Sequence, residues 1–260
     1  MITNNTTNII EEELTNKDLE EKKKIQEIDE FKFGINIKEM LEKGLAIGHQ
    51  ASKLHPKMKE YIVGIKNTSH IINLEKTGKC LEKALEFIIE LTKQNKILLI
   101  IGTKPPLRNL IEETAKELNI SYITKRWLGG FFTNFEVFLK RIKSYKALEE
   151  EKFQTNFKGY TKKERLEKDK EIERLRRKFG GIKNLERLPD VIFICDIVKD
   201  KIALKEARFK KIPIIAIVDT NGNPVLVNYP IPANDGAIPA VKYILNKIKE
   251  VIIQAKSQKS

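Results

Sequence analysis

The sequence predicts an α/β fold, a mostly parallel sheet flanked by helices, with an antiparallel pair of basic helices inserted in it. Three observations carry that prediction. Short apolar runs alternate with amphipathic segments of helical period in two separate stretches, 97–124 and 191–255. The alternation breaks between 133 and 179, where charged residues surround two narrow apolar stripes. The chain has 260 residues, of which 41% are hydrophobic, enough to bury the core of one large domain with an insertion. The expected organisation is an acidic extension at 1–30, a discontinuous α/β domain at 31–132 and 180–255, a helical hairpin at 133–179 and a tail at 256–260.

The elements follow in order. Residues 1–30 read as a polar extension without a core of its own. Ile37, Met40 and Leu41 have helical spacing and predict a short amphipathic helix that stops at Gly44. From Gly48 to Lys59 the chain is polar and basic with little regular pattern. Residues 61–63 and 70–74 read as strands, and Leu81, Leu85, Ile88 and Ile89 share one face of a helix over roughly 75–93. Residues 97–101 form the continuous apolar run of a strand buried on both faces. Pro105 and Pro106 suit the start of a helix reaching about Leu118, because first-turn N–H groups have no intrahelical partner to lose. Residues 121–124 are the next strand. After the insertion come a strand at 191–196, a helix at 199–210, a strand at 214–219 and a long helix at 238–255, which a side-chain oxygen of Asn234 or Asp235 is placed to cap.

Within the insertion, Thr133 and Glu136 have the spacing of a capping box. Phe138, Ile142, Tyr145 and Leu148 then make a narrow stripe. Residues 152–160, with Asn156 and Gly159, read as a turn. Thr161 and Glu164 repeat the capping spacing, and Leu166, Ile172, Leu175 and Phe179 give a second, less regular stripe. Gly180-Gly181 is expected to end the hairpin through a left-handed residue.

Charge is high and unevenly placed. Charged residues make up 33% of the chain and the net charge is +13. Residues 1–30 hold four lysines against nine acids, a net −5, so residues 31–260 carry +18. Residues 140–178 hold fifteen Lys and Arg against eight acids, a net +7. Such clustering favours a polyanionic partner, since Lys and Arg gain by displacing counterions from phosphates. Cys80 and Cys195 sit in apolar patterns without metal-type spacing and read as buried free thiols of a reducing compartment. No apolar run approaches the ~20 residues of a membrane span, and the polar N-terminus has no apolar signal core. A soluble cytoplasmic protein without membrane association is therefore expected.

Enzyme chemistry has no visible carrier. Neither G-x-x-x-x-G-K-[ST] nor G-x-G-x-x-G occurs after a strand. Gly102-Thr103-Lys104-Pro105-Pro106 lacks N–H donors at its prolines, where a phosphate would sit. No cofactor and no catalytic group is expected. His49, His55 and His70 have no helical or Cys partner, and solvent- or RNA-facing histidine is the simpler reading. Asp196, Asp219 and Asp235 fall near strand ends, where open α/β sheets bind ligands. They are placed to converge, with His49, on a divalent cation; structural capping is the competing account.

RNA-binding chemistry does have carriers. In the irregular stretch 48–59 the candidates are His49, Lys53, Lys57 and Lys59. In Lys125-Arg126-Trp127-Leu128-Gly129-Gly130 the lone Trp127 reads as core, although it could stack on a base, and Arg126 as the contact residue. On the first hairpin helix the candidates are Lys140, Arg141 and Lys143; on the second they are Lys162, Lys163, Arg176, Arg177 and Lys178. Glu164 with Lys168 and Glu173 with Arg177 have i,i+4 spacing and are expected to pair locally.

At these residues the chain resembles the family of the second protein of the small ribosomal subunit, in its bacterial or organellar form. The resemblance is carried, in order, by Gly48-His49-Gln50, Pro56-Lys57-Met58-Lys59, His70-Ile71-Ile72-Asn73-Leu74, Ile101-Gly102-Thr103-Lys104 and Arg126-Trp127-Leu128-Gly129-Gly130. It continues with Thr133-Asn134-Phe135, Gly180-Gly181-Ile182, Leu188-Pro189-Asp190, Ile217-Val218-Asp219-Thr220-Asn221 and Ile231-Pro232-Ala233-Asn234-Asp235, so it covers about 31–255. Ala46-Ile47 stands where the family usually has His-Phe, and Leu54-His55 where it has an aromatic residue and Asn. Residues 1–30 have no counterpart in the common pattern. The resemblance implies a flavodoxin-like domain with an inserted coiled-coil hairpin. It also implies binding to small-subunit rRNA and to neighbouring small-subunit proteins, with docking of the large mRNA-binding subunit protein, on a cytoplasmic or organellar ribosome. The competing readings are an RNA- or nucleotide-processing enzyme with a site at the strand ends, and a regulator whose hairpin binds protein.

Overall fold

The computed structural model describes residues 31–257; the expected extension at 1–30 and residues 258–260 lie outside the described residues. The chain enters at Phe31, and helix α1 (Ile37–Glu42) starts where the Asn36 side chain accepts from the N–H groups of Lys38 and Glu39. Strand β1 (Ile47–Gln50), two 3-10 segments (Ala51–Lys53 and Pro56–Tyr61), β2 (Ile62–Lys66) and β3 (Ser69–Ile72) follow. These strands form an antiparallel sheet of order β1-β3-β2. The irregular stretch expected at 48–59 thus begins in a strand. Gly48-His49-Gln50 carries no apolar alternation, so its pairing to β3 was not legible.

The main sheet is built from α2 (Leu74–Lys93), β4 (Leu98–Ile101), α3 (Arg108–Leu118) and β5 (Ser121–Ile123), then β6 (Val191–Ile194), with α4 and α5 of the insertion between those last two strands. Helix α4 spans Phe135–Thr155 and α5 spans Lys162–Phe179. Next come α6 (Lys201–Phe209), β7 (Ile214–Val218), β8 (Tyr229–Pro232) and α7 (Ile238–Ser257). The five strands are parallel in the order β5-β4-β6-β7-β8. The chain steps outward once from β4 to β5, then crosses back and proceeds the other way, which is the flavodoxin-like order with its switch point between β4 and β6. Strand β8 was not foreseen. Its Tyr-Pro-Ile-Pro sequence reads as a loop, and proline is tolerated here because β8 is the edge strand.

Side chains alternate across the sheet. Ile100, Phe193, Ile215 and Ile217 point to α2, α3 and α7, while Leu99, Ile101, Ile192, Ile194 and Val218 point to α6 and the base of the insertion. Burial on both faces explains why the strands read as unbroken apolar runs.

Helices α4 and α5 run antiparallel. Lys168 meets Glu151 at 2.8 Å, Lys152 meets Asp169 at 2.8 Å, and at the other end Phe138 and Phe179 have ring centroids 6.4 Å apart. Several local expectations change. The box at Thr133 and Glu136 does not form; α4 starts after Asn134 with no side-chain cap. The box at Thr161 and Glu164 forms, with the Thr161 N–H donating to Glu164 at 2.8 Å. That engagement leaves Lys168 to pair across the helices with Glu151 rather than along the helix with Glu164. Glu173 and Arg177 do pair, at 3.5 Å. Leu166 is 55% exposed, outside the stripe. Gly180 is right-handed (φ −54) and opens a 3-10 turn instead of a left-handed cap. Glycine at 181 has a different reason: a Cβ there would overlap the Tyr122 carbonyl oxygen of β5. Of the two thiols Cys195 is buried, but Cys80 is only half-buried.

Candidate nucleic-acid interface

The residues expected to bind RNA do not form one surface, but four of them converge. Arg126, Arg176, Arg177 and Lys178 line a cleft of about 560 Å3 between β5 and the base of the hairpin. Lys125 and Lys183 line it too, and were not singled out from the sequence. Two constraints bring the groups together. The close approach of Gly181 to Tyr122 fixes the end of α5 against β5. On the other wall, the buried Glu206 of α6 accepts from Trp127 Nε1 at 3.0 Å, from the Gly130 N–H at 2.8 Å and from the Phe132 N–H at 2.9 Å. Trp127 is therefore core, as expected, with its ring packed edge-on against Phe132 at 4.8 Å. Its inward turn leaves Arg126 and Lys125 facing solvent. Glu206 itself was invisible in the sequence, a lone acid in an ordinary amphipathic helix.

The cleft is incompletely neutralised. Arg177 has Glu173, and Lys183 has Glu149 at 3.7 Å. Among the described residues, Lys125, Arg126, Arg176 and Lys178 have no ion pair to a carboxylate. Arg176, Arg177 and Lys178 sit in the last turn of α5, where they gain from the helix dipole. That benefit does not account for Lys125 and Arg126 on a different element aimed at the same space.

The other candidates lie apart. Lys53, Lys57 and Lys59 are exposed on the 3-10 segments. Lys140, Arg141 and Lys143 are exposed on α4, and Arg141 lines a separate groove between α4 and α5. Lys162 and Lys163 are exposed in the first turn of α5, about 20 Å from its base at 1.5 Å per residue.

His49 departs most from expectation. It is half-buried, with Nδ1 2.9 Å from Asp219 and its N–H donating to Thr220 Oγ1 at 3.0 Å. Gly48 permits this approach, since a Cβ there would overlap the Thr220 methyl group. The Asp219 hydrogen bond holds the imidazole above its ordinary pKa, against the effect of burial. His49 thus ties the small sheet to the strand ends, meeting the aspartates as one of the sequence readings had it, with about a third of its side chain exposed.

At those strand ends the three aspartates do converge, around a lysine. Lys104 Nζ lies 2.7 Å from Asp196 and 2.7 Å from Asp235. Asp196 also accepts from the N–H groups of Val198 and Lys199 at 2.8 Å, the capping role foreseen as one alternative. His49, Asp219 and Asp235 each offer one donor atom within 4.8 Å of the others. Burial, with the charges of Asp196 and Asp219, raises the pKa of Asp235 despite Lys104. Asp235 does not cap α7; Asn234 organises the turn before it, accepting from the Gly236 and Ala237 N–H groups. Beside the cluster, Asp200 accepts from the Thr103 hydroxyl at 2.8 Å and its N–H at 3.2 Å. At the switch point between β4 and β6, Lys104 after β4 is paired with Asp196 after β6.

The family model described as ribosomal protein S2 matches residues 40–255. Curated relatives named small ribosomal subunit protein uS2 match 222 residues, 85% of this chain. The one from Dictyoglomus thermophilum is 45% identical with 90% of its length covered, that from Dehalococcoides mccartyi is 43% identical with 91% covered, and that from Coprothermobacter proteolyticus is 39% identical with 83% covered.

Proposed function

This chain belongs to the ribosomal protein S2 family, and on that premise we propose that it binds small-subunit rRNA through the basic cleft at the base of its hairpin. Its role is that of a structural, non-enzymatic component of the small ribosomal subunit. The observation that carries the finer reading is the meeting of Lys125, Arg126, Arg176 and Lys178 in one cleft, none with a carboxylate within 4 Å, although Glu112, Glu149 and Glu173 also line it. Like charges held together on separate elements are stabilised by an external polyanion, and a phosphodiester backbone supplies one. In this reading residues 31–132 and 180–255 form one α/β domain that positions residues 133–179 against RNA. Lys53, Lys57, Lys59, Lys140, Lys143, Lys162 and Lys163 add weaker contacts along the same polyanion. Neighbouring small-subunit proteins, the large mRNA-binding subunit protein among them, complete the set of partners.

The test is sedimentation of a lysate through a sucrose gradient at rising salt, blotting for this protein. Comigration with small subunits at low salt and release at higher salt is expected, because phosphate contacts weaken as counterion release loses its value. A protein that stays at the top of the gradient at every salt concentration would overturn the reading.

A further inference from the structure

A second cationic cavity lies beside the hairpin cleft, between the start of α3, the segment after β5 and the loop that leads from β6 into α6. It encloses about 360 Å3. Arg108, Lys125, Arg126 and Lys199 line it. Among the described residues one acid lines it too, the buried Asp200, whose two oxygens accept from the Thr103 hydroxyl and N–H. Turned to Thr103, Asp200 offsets at most one of the four positive charges. Arg108 is only loosely engaged by the chain. Its Nη2 donates to the carbonyl oxygens of Thr103 and Lys125, each at 3.3 Å, and its Nε is buried without a hydrogen-bond partner. A guanidinium carries several N–H donors, and a charged donor left unpaired in the interior is unfavourable. Turning the group toward an oxyanion in the cavity replaces two long bonds with charge-assisted ones.

Two features say which oxyanion. Lys125 and Arg126 line the hairpin cleft as well as this cavity. The cations therefore form one track from the last turn of α5, over Lys125 and Arg126, to Arg108 and Lys199. A polyanion can follow that track, whereas a carboxylate side chain would use only one end of it. The cavity also has an apolar side: Pro105 and Ile202 line it and are exposed, Ile202 to 52%. A duplex keeps its bases stacked inside, whereas an unpaired nucleotide brings its base or ribose along with its phosphate. On the premise of the RNA-binding reading above, we infer that this cavity takes one unpaired nucleotide of the small-subunit rRNA, adjoining the stretch in the hairpin cleft. Arg108 and Lys199 hold its phosphate, and Pro105 and Ile202 cover its sugar or base.

Small subunits stripped of this protein, to which the full chain is added back at rising salt, test this. Lys199→Gln carries the decision, because Lys199 is exposed, whereas Arg108→Gln also frees the Thr103 and Lys125 carbonyls. Rebinding of Lys199→Gln is expected to weaken severalfold, with the slope of log affinity against log salt shallower by about one, as for one lost phosphate contact. Its melting curve should match that of the parent. In a second arm p-benzoylphenylalanine replaces Ile202, and ultraviolet light is expected to join it to an unpaired rRNA nucleotide. A Lys199→Gln protein with the affinity and salt slope of the parent would overturn the inference and leave the hairpin cleft standing. So would a cross-link to a paired nucleotide or to a neighbouring protein, or no cross-link at all. A parent chain that returns to the subunit at no salt concentration overturns the RNA-binding reading and this inference with it.

Discussion

The strand ends and the hairpin base both concentrate charge, and they treat it in opposite ways. At the strand ends Lys104 touches two carboxylates, and Asp219 holds His49. The lysine and the histidine there each lie within 3 Å of a carboxylate of the chain. At the hairpin base four cations face one cleft with none that close. The first arrangement pairs its lysine within the chain; the second leaves cations for the polyanion proposed above. In the proposed reading, recognition falls to the base of the insertion and not to the ion-paired strand ends. This is why the fold alone says little about function.

The largest effect expected in testing this contrast comes from Glu206→Ala. Two buried donors and one half-buried donor lose their acceptor together, at a cost of about 3 kcal/mol in urea unfolding. The wall that presents Lys125 and Arg126 loosens with it. A loss below about 1 kcal/mol would mean that water replaces the carboxylate and that the loop holds itself. Next is joint reversal of Arg176→Glu, Arg177→Glu and Lys178→Glu. Binding to a small-subunit rRNA fragment at 0.1 M salt is expected to fall on the order of tenfold or more, with a shallower salt dependence. The sheet should melt as before. Unchanged affinity would remove the cleft from the interface and erase the contrast. Thr161→Ala is smaller and local. Loss of the cap costs about 1 kcal/mol, seen as faster hydrogen exchange in the first turn of α5, with sheet amides unaffected. The smallest effect is that of pH. His49 and Asp235 both have raised pKa values in the folded chain. Each binds its proton more tightly folded than unfolded, so its contribution is fully present below the unfolded value and is lost as pH rises through the folded one. The urea midpoint should therefore fall slightly from pH 6 to pH 8, and His49→Gln should flatten that slope.

What was legible in the sequence follows from how each element is specified. Strands buried on both faces announce themselves as unbroken apolar runs, and β4, β6 and β7 were placed within a few residues. Strands held by context were missed. β1 is fixed by its pairing to β3 and by His49 reaching Asp219, and β8 is a proline-bearing edge. At the interface, Arg126 and 176–178 stood out by local charge density. Lys125 and Lys183 did not, because only the contact of Gly181 with β5 brings them to the same cleft. Lys104 was passed over for a related reason. Its role is defined by Asp196 and Asp235, far from it in sequence.

The insertion also bears on the order in which the molecule forms during synthesis. Strand β4 pairs with β6, and residues 124–190 must be made after β5 before that partner exists. Unfolded, this stretch is a long loop to close. The two hairpin helices contact each other, with a formed cap at Thr161 and a tip where Lys168 lies 3.7 Å over the Tyr160 ring, while their base packs on the sheet. They can collapse on their own, shortening the effective loop by a factor of about three and lowering the closure entropy by about 1 kcal/mol. A hairpin that closes first would stand folded while the sheet is still half-built. In that order of events the nascent chain would present its most cationic surface before it has a core.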